Sequence, residues 1–288
     1  MGDKIFERID CLKGLLDNRR PLDKFLVDKL KEYYKVEIIY NSNAIEGNTL
    51  TKFETKMVIE QGLTIGEKGL KNYLEAVNLS EAMDFIEGLV NNKEPLSERI
   101  LKEIHYIVLK ETVKYNSQYA GTYRNLPVEI SGSEFKPPQP YLIQPRMEEL
   151  LNWYNDNKDK LHPVEIAALF HFKLVTIHPF IDGNGRTARL MMNFILMQNG
   201  YPPTVVIAYD KDRATYYKTL EKGQVTGDIK PFIQFISNCV EKTLEDYLER
   251  IGVVYEKGSE ELYVNKSRKN NLEPWYDLKM YWEKKVKR

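Results

Sequence analysis

The apolar positions along the chain recur at helical spacing almost throughout. Residues 20–40 carry Leu22, Phe25, Leu26, Val27, Leu30, Tyr33 and Tyr34 on a stripe with a period near 3.6. Thr51 with Glu54 forms a capping box that opens a helix running to about Gly62. A further helix is predicted over 68–91, with Leu70, Leu74, Val77, Ala82, Phe85, Ile86 and Leu89 inward, and another from Ser97 to about 113. Residues 114–145 break the pattern. They hold five prolines, and Val128-Glu129-Ile130 ahead of Ser131-Gly132 predicts a small hairpin, the one β element expected. Helices resume over 146–156, 163–177, 186–199, 211–223 and 229–250, and Gly200 with Pro202 and Pro203 stops the third of these. The expected class is all-α.

Composition narrows this picture. The 288 residues carry 42 Lys and Arg against 42 Asp and Glu, a formal net charge of zero. That argues against a nucleic-acid partner, because displacing counterions needs a basic surplus. Cys11 and Cys239 have no metal-ligand or redox spacing, so two thiols in a reducing compartment are expected. No apolar run reaches the roughly 18 residues that cross a bilayer, and the charged N-terminus lacks the apolar stretch of a signal peptide. The expected location is the cytoplasm, with no membrane contact. His105, His162 and His171 read as core or surface histidines. Trp153, Trp275 and Trp282 have no stacking pattern, and the basic segment 265–288 reads as a solvated terminus.

The chemistry is concentrated in His178-Pro-Phe-Ile-Asp-Gly-Asn-Gly-Arg-Thr-Ala-Arg189. Gly183 and Gly185 flank Asn184, so the backbone can turn tightly and bring several N–H groups to one point. A helix beginning there adds its unpaired amides and positive dipole end, which together form an anion cradle suited to phosphate. Arg186 and Arg189 are three apart, so both guanidiniums reach the same side. Asp182 at the lip has the chemistry of a Mg²⁺ ligand bridging phosphate oxygens. His178 ends the preceding helix, where an imidazole can take a proton from an incoming hydroxyl.

These twelve residues match the signature of Fic domains, and the resemblance extends over roughly 97–245. It implies an all-α Fic-type bundle with a short β-hairpin flap. The implied units are an N-terminal helical region (1–96), the catalytic core (97–245) and a tail of unassigned role (246–288). Fic enzymes mostly transfer AMP from ATP to a hydroxyl of a target protein. By resemblance His178 is the general base, Asp182 the Mg²⁺ ligand, and Gly183, Asn184 and Gly185 the anion hole for the α-phosphate. Arg186 and Arg189 would hold the β- and γ-phosphates. The loop at 121–140 resembles the flap that pins an extended target segment by strand addition, with Val128, Ile130 and Ser131 nearest the nucleotide. Tyr216 and Tyr217 resemble the adenine-pocket lining, and Gln224 falls near a family asparagine at a spacing different by one. Upstream, Ser42-Asn-Ala-Ile-Glu46-Gly47-Asn48 resembles the family's inhibitory pattern, on a helix over about 38–47. Glu46 is expected to pair bidentately with Arg189, and Ser42 to bond the motif asparagine. The implied function is a self-inhibited protein adenylyltransferase using ATP and Mg²⁺. The alternatives are a transferase of another phosphate-containing group, an enzyme that removes AMP, and a non-catalytic nucleotide-binding adaptor. The sequence leaves a homodimer open.

Overall fold

A computed structural model of the chain describes residues 3–63, 67–112 and 117–255. Trp275, Trp282 and most of the expected tail lie outside the described residues. Among the described residues ten α-helices and two short 3-10 helices form: α1 (Asp3–Asp17), α2 (Lys24–Ile45), α3 (Lys52–Gln61), α4 (Leu70–Asn91), α5 (Glu98–Leu109), α6 (Ile143–Asn157), α7 (Pro163–Ile177), α8 (Asn184–Gln198), α9 (Asp210–Thr226) and α10 (Lys230–Arg250). The all-α class expected from the periodicity is what forms.

The centre is the pair α7 and α8. Both are buried on nearly every face; α7 is apolar almost throughout, as a helix surrounded by other helices tends to be, whereas α8 also buries Arg186, Thr187, Arg189 and Asn193. In α8 every residue from Arg186 to Leu196 is buried. α10 and α6 cover α7, while α4 and α5 cover α8. The N-terminal region is not a separate layer. α1, which is not among the helices expected from the spacing, buries Ile9, Leu12 and Leu16 completely and packs along α10. α2 crosses from α3 and α4 to the start of α8.

The local signals act as their chemistry requires. Thr51 Oγ1 accepts from the Glu54 amide at 3.1 Å and Glu54 returns the bond to the Thr51 amide at 2.7 Å. Gly62 closes α3 in the left-handed conformation at φ 64°. Pro163 starts α7 at a position where the missing N–H costs nothing.

Three expectations change. On α4, Leu70 and Val77 are 69% and 44% exposed, because the buried face is instead built on Tyr73, Ala76, Leu79, Met83 and Ile86 and also carries Glu75 and Asn78 inward. The short helix expected over 38–47 is the end of the 22-residue α2, with Glu46 as its C-terminal cap. No strand forms at Val128–Ile130 among the described residues. Pro127, Pro137 and Pro138 cannot donate to a ladder, and the Leu126 and Pro138 carbonyls accept from Arg124 instead.

Candidate active site

His178 caps α7 in the left-handed region (φ 51°, ψ 57°), which turns the chain sharply into the motif loop. Phe180 is fully buried and anchors that loop. Asn184 locks it: its Oδ1 accepts from the Phe180 amide at 3.0 Å and its Nδ2 donates to the Phe180 carbonyl at 2.8 Å. Gly183, at φ 76°, then starts α8. The first-turn amides of α8 are left without helical partners and collect the positive end of the dipole.

Burying Arg186 and Arg189, each 3% exposed, requires partners for both cations. Arg189 Nη2 lies 2.7 Å from Glu46 Oε1 and also donates to the Ser42 carbonyl at 2.9 Å. Its Nε donates to Ser42 Oγ at 2.9 Å, and its Nη1 to the Tyr216 hydroxyl at 3.2 Å. The Glu46 pair is therefore single-legged, not bidentate, because Ser42 and Tyr216 take the rest of the fork. Ser42 does not bond Asn184, whose amide is already spent on Phe180. The Glu46 carboxylate sits over the α8 N-terminus: a Cβ added at Gly185 would run into Glu46 Oε1 and lie 3.2 Å from Arg189 Nη1. Burial opposes the Arg189 charge, but Tyr216 and Glu46 outweigh it and its pKa is raised.

Arg186 Nη1 is 3.1 Å from Glu75 Oε1 on α4, a pair in which both side chains are nearly inaccessible, and its Nη2 is 3.3 Å from Asp182 Oδ1. Glu75 Oε2 in turn accepts from Asn48 Nδ2 at 2.9 Å, two residues beyond Glu46. Asp182 is exposed, and its Oδ1 accepts from the Gly183 amide at 2.5 Å. An exposed hard-oxygen carboxylate beside a phosphate cradle fits Mg²⁺, which keeps its waters and takes one or two carboxylates plus phosphate oxygens.

Burial lowers the His178 pKa, and the Arg124 charge adds to that; the Val175 carbonyl, Glu46 and Asp182 oppose it. His178 Nδ1 is buried and has no hydrogen-bond partner. Nε2 is the nitrogen left for an incoming hydroxyl.

Three of the remaining expected residues turn inward or sideways. Tyr216 is 1% exposed, packed among His171, Phe232 and Phe235, so its ring is closed to a base and its hydroxyl serves Arg189 and His171. Tyr217 is 42% exposed and donates to the Ile45 carbonyl at 3.2 Å, tying α9 to the end of α2. Gln224 reaches Thr176 at 3.3 Å. In the flap, Val128 and Ile130 are half-buried and Ser131 is exposed. Glu221 of α9 accepts from the Glu134 amide at 2.9 Å.

His105, expected as a core or surface histidine, is fully buried and braces the motif loop. Its ring stacks on Phe180 with centroids 3.5 Å apart, Nδ1 accepts from the Gly121 amide at 2.9 Å, and Nε2 is 2.9 Å from the Asp182 carbonyl. An amide donor on Nδ1 leaves the proton on Nε2. Burial holds this neutral ring's pKa down to about 4. The signal was present, since His105 shares a helix face with Leu101, Ile104 and Val108, and a buried imidazole requires partners.

The geometry is that of an anion-binding helix N-terminus on an all-α scaffold, with an internal carboxylate already seated in it. The Fic/DOC family profile matches residues 95–196. A Fic domain containing signaling protein from Bacteroides thetaiotaomicron is 32% identical, superposes with a TM-score of 0.77, and is matched over 84% of this chain and 96% of that one. A fragment of Fic-1 from C. elegans is 28% identical with a TM-score of 0.76, over 87% and 73% of the two chains. Among curated proteins, the protein adenylyltransferase Fic of Nematostella vectensis is 39% identical over 250 residues, 86% of this chain and 56% of that protein. The chain spans about half the length of the curated relatives it matches. It belongs to the Fic family.

Proposed function

We propose that this chain transfers AMP from ATP to a hydroxyl of a target protein, and that Glu46 holds the reaction off. The observation that carries the reading is the Glu46–Ser42–Arg189 cluster: the cation expected to take the γ-phosphate is buried, and an internal carboxylate occupies its outer edge. The adenylyltransferase name of its curated relatives supports the same chemistry.

In this reading the α8 amides at Gly183, Asn184 and Gly185 bind the α-phosphate oxygens and stabilise the charge that develops there. Arg186 and Arg189 hold the β- and γ-phosphates, which aligns the leaving group. Burial keeps the His178 imidazole neutral near pH 7, so it can accept a proton. The target hydroxyl oxygen bonds to the α-phosphorus as its proton passes to His178. The bond to the bridging α–β oxygen breaks, and its electron pair leaves with pyrophosphate. Mg²⁺ on Asp182 would neutralise phosphate charge when bound. The target lies as an extended segment against the flap, and Tyr217, still 42% exposed, remains open to a nucleotide base. Cys11 is exposed, Cys239 is buried and neither is in a disulfide; no described helix is long and apolar enough to cross a membrane.

With Glu46 engaged, ATP competes for Arg189 and its triphosphate cannot take the in-line alignment. Labelled ATP with Mg²⁺ tests this directly. Glu46→Gly should label itself or an added protein far faster than wild type, and chelating Mg²⁺ or adding His178→Ala should remove the signal. Equal labelling by wild type and Glu46→Gly would overturn the inhibition.

A further inference from the structure

Arg124 stands at the root of the flap, is 2% exposed, and forms no ion pair among the described residues. Its guanidinium donates to three backbone carbonyls instead. Nε reaches His178 at 2.8 Å, Nη1 reaches Leu126 at 3.0 Å, and Nη2 reaches Pro138 at 2.6 Å. Its own amide donates to the Pro179 carbonyl at 2.9 Å. Leu126 and Pro138 are the two ends of the flap loop. His178 ends α7 in the left-handed conformation, so its carbonyl has no helical partner and needs an outside donor. One side chain thus joins both ends of the flap to the backbone of the residue read as the base.

A core strut would not need this chemistry. Three carbonyls can be satisfied by neutral amide groups, whereas an unpaired cation is expensive to bury. A guanidinium is distinctive in offering a planar fork with several fixed directions together with a charge that persists at any working pH. Both properties bear on the same neighbour.

We propose that Arg124 is a positioning residue that fixes the flap, and with it the docked target segment, in register with the His178 imidazole. This rests on the adenylyl-transfer reading for its consequence, but not for its geometry. A second effect follows from the charge. Arg124 faces His178 from the flap root, Glu46 faces it from the end of α2 and Asp182 from the motif loop. The two carboxylates favour the protonated ring, and Arg124 is the cation that opposes them, adding to burial.

The test compares Arg124→Gln and Arg124→Lys in the Glu46→Gly background by histidine NMR titration, amide hydrogen exchange and self-labelling. The chain has only four histidines, so His178 is assignable by His178→Ala. In Arg124→Gln the His178 midpoint should rise by roughly one pH unit, the scale of losing one nearby charge, while His162 stays in place. Exchange over 126–138 should quicken by about tenfold, as expected for one lost charge-assisted hydrogen bond. Turnover should fall with the KM for ATP unchanged, and its acid limb should move to higher pH. Arg124→Lys keeps the charge but not the fork, so the midpoint should stay while exchange over 126–138 still rises. If Arg124→Gln fails to fold, exchange in Arg124→Lys decides the flap role alone: faster exchange confined to 126–138 supports it, and unchanged exchange overturns it. Wild-type titration and exchange in both variants would overturn the proposal, as would equal exchange increases spread along the whole chain. If titration and exchange behave as expected but no variant labels, the transfer reading fails and the positioning role stands.

Discussion

Ser42→Ala probes the hold on Arg189 without touching the carboxylate. The Ser42 hydroxyl accepts from Arg189 Nε at 2.9 Å where both residues are almost wholly buried, at 4% and 3% exposure. Removing it strands a charged donor away from water, at a cost of about 2 kcal/mol. The cost falls on the closed state, because in the proposed ATP-bound state Arg189 turns to phosphate. The equilibrium should therefore move toward the open state by ~30-fold, since about 1.4 kcal/mol is a factor of ten. Glu46→Gly removes a 2.7 Å ionic contact, but the Glu46 side chain is 32% exposed. Solvent screening brings its worth into the same range of about 2 kcal/mol. Because both substitutions act on one guanidinium, the double variant should gain less than the product of the single gains. Initial rates of self-labelling, with the dissociation constant for ATP measured on the same samples, give all four corners of the cycle. A folded Ser42→Ala that labels at the wild-type rate, beside a Glu46→Gly that labels fast, would refute the shared hold.

Other substitutions carry equally definite expectations. Glu75→Ala leaves Arg186 without its inaccessible counter-charge 3.1 Å away and frees Asn48, so urea unfolding should show a loss of about 3 kcal/mol; a loss below about 1 kcal/mol would show that the pair contributes little. His105 and His171 stay neutral in the fold, with pKa values driven by burial down to about 4 and about 3. The unfolded chain protonates them below about 6.5, so it binds more protons and stability falls as pH drops below that value. Between pH 6.5 and 5 the two together should cost about 3 kcal/mol, and a flat urea midpoint over that window would contradict their neutral burial. His105→Phe keeps the volume and the stack on Phe180 but leaves the Gly121 amide and Asp182 carbonyl unpaired. Each should cost about 1–3 kcal/mol, read as a lower Tm and slower labelling in the Glu46→Gly background; an unchanged Tm would exclude the bracing role.

What could be read from the sequence follows the range of the interactions. The capping box at Thr51 and Glu54, the stop at Gly200 and the loop of 178–189 are local, and they formed as the sequence predicts. The Glu46–Arg189 pair spans 143 positions, yet it was reachable because each partner sits in a recognisable motif. Ser42 was placed correctly beside Glu46 on its helix but given the wrong partner. Helical spacing says which residues share a face, and only docking decides that Arg189 lies opposite while Asn184 turns back on Phe180. Tyr216, expected by resemblance to line an adenine pocket, is a core residue packed among His171, Phe232 and Phe235, which only the docking of α9 on α7 and α10 decides. Leu70 and Val77 lost the inward face of α4 to Glu75 and Asn78, polar residues that a hydrophobic count places outside. α1 was hidden because its apolar stripe of Ile9, Leu12 and Leu16 is diluted by charge. Arg124 and Glu75 gave no signal, since their roles exist only once distant segments meet.

The central claim is that the α8 N-terminus and His178 carry out nucleotidyl transfer once Glu46 is removed from Arg189. Intact-mass measurement of Glu46→Gly incubated with Mg²⁺ and each nucleoside triphosphate in turn tests it most directly. Glu46→Gly should gain one AMP with ATP, wild type should gain little, and adding His178→Ala should abolish the gain. ATP bound by Glu46→Gly with no covalent gain from any nucleotide, or a gain that survives His178→Ala, would contradict it.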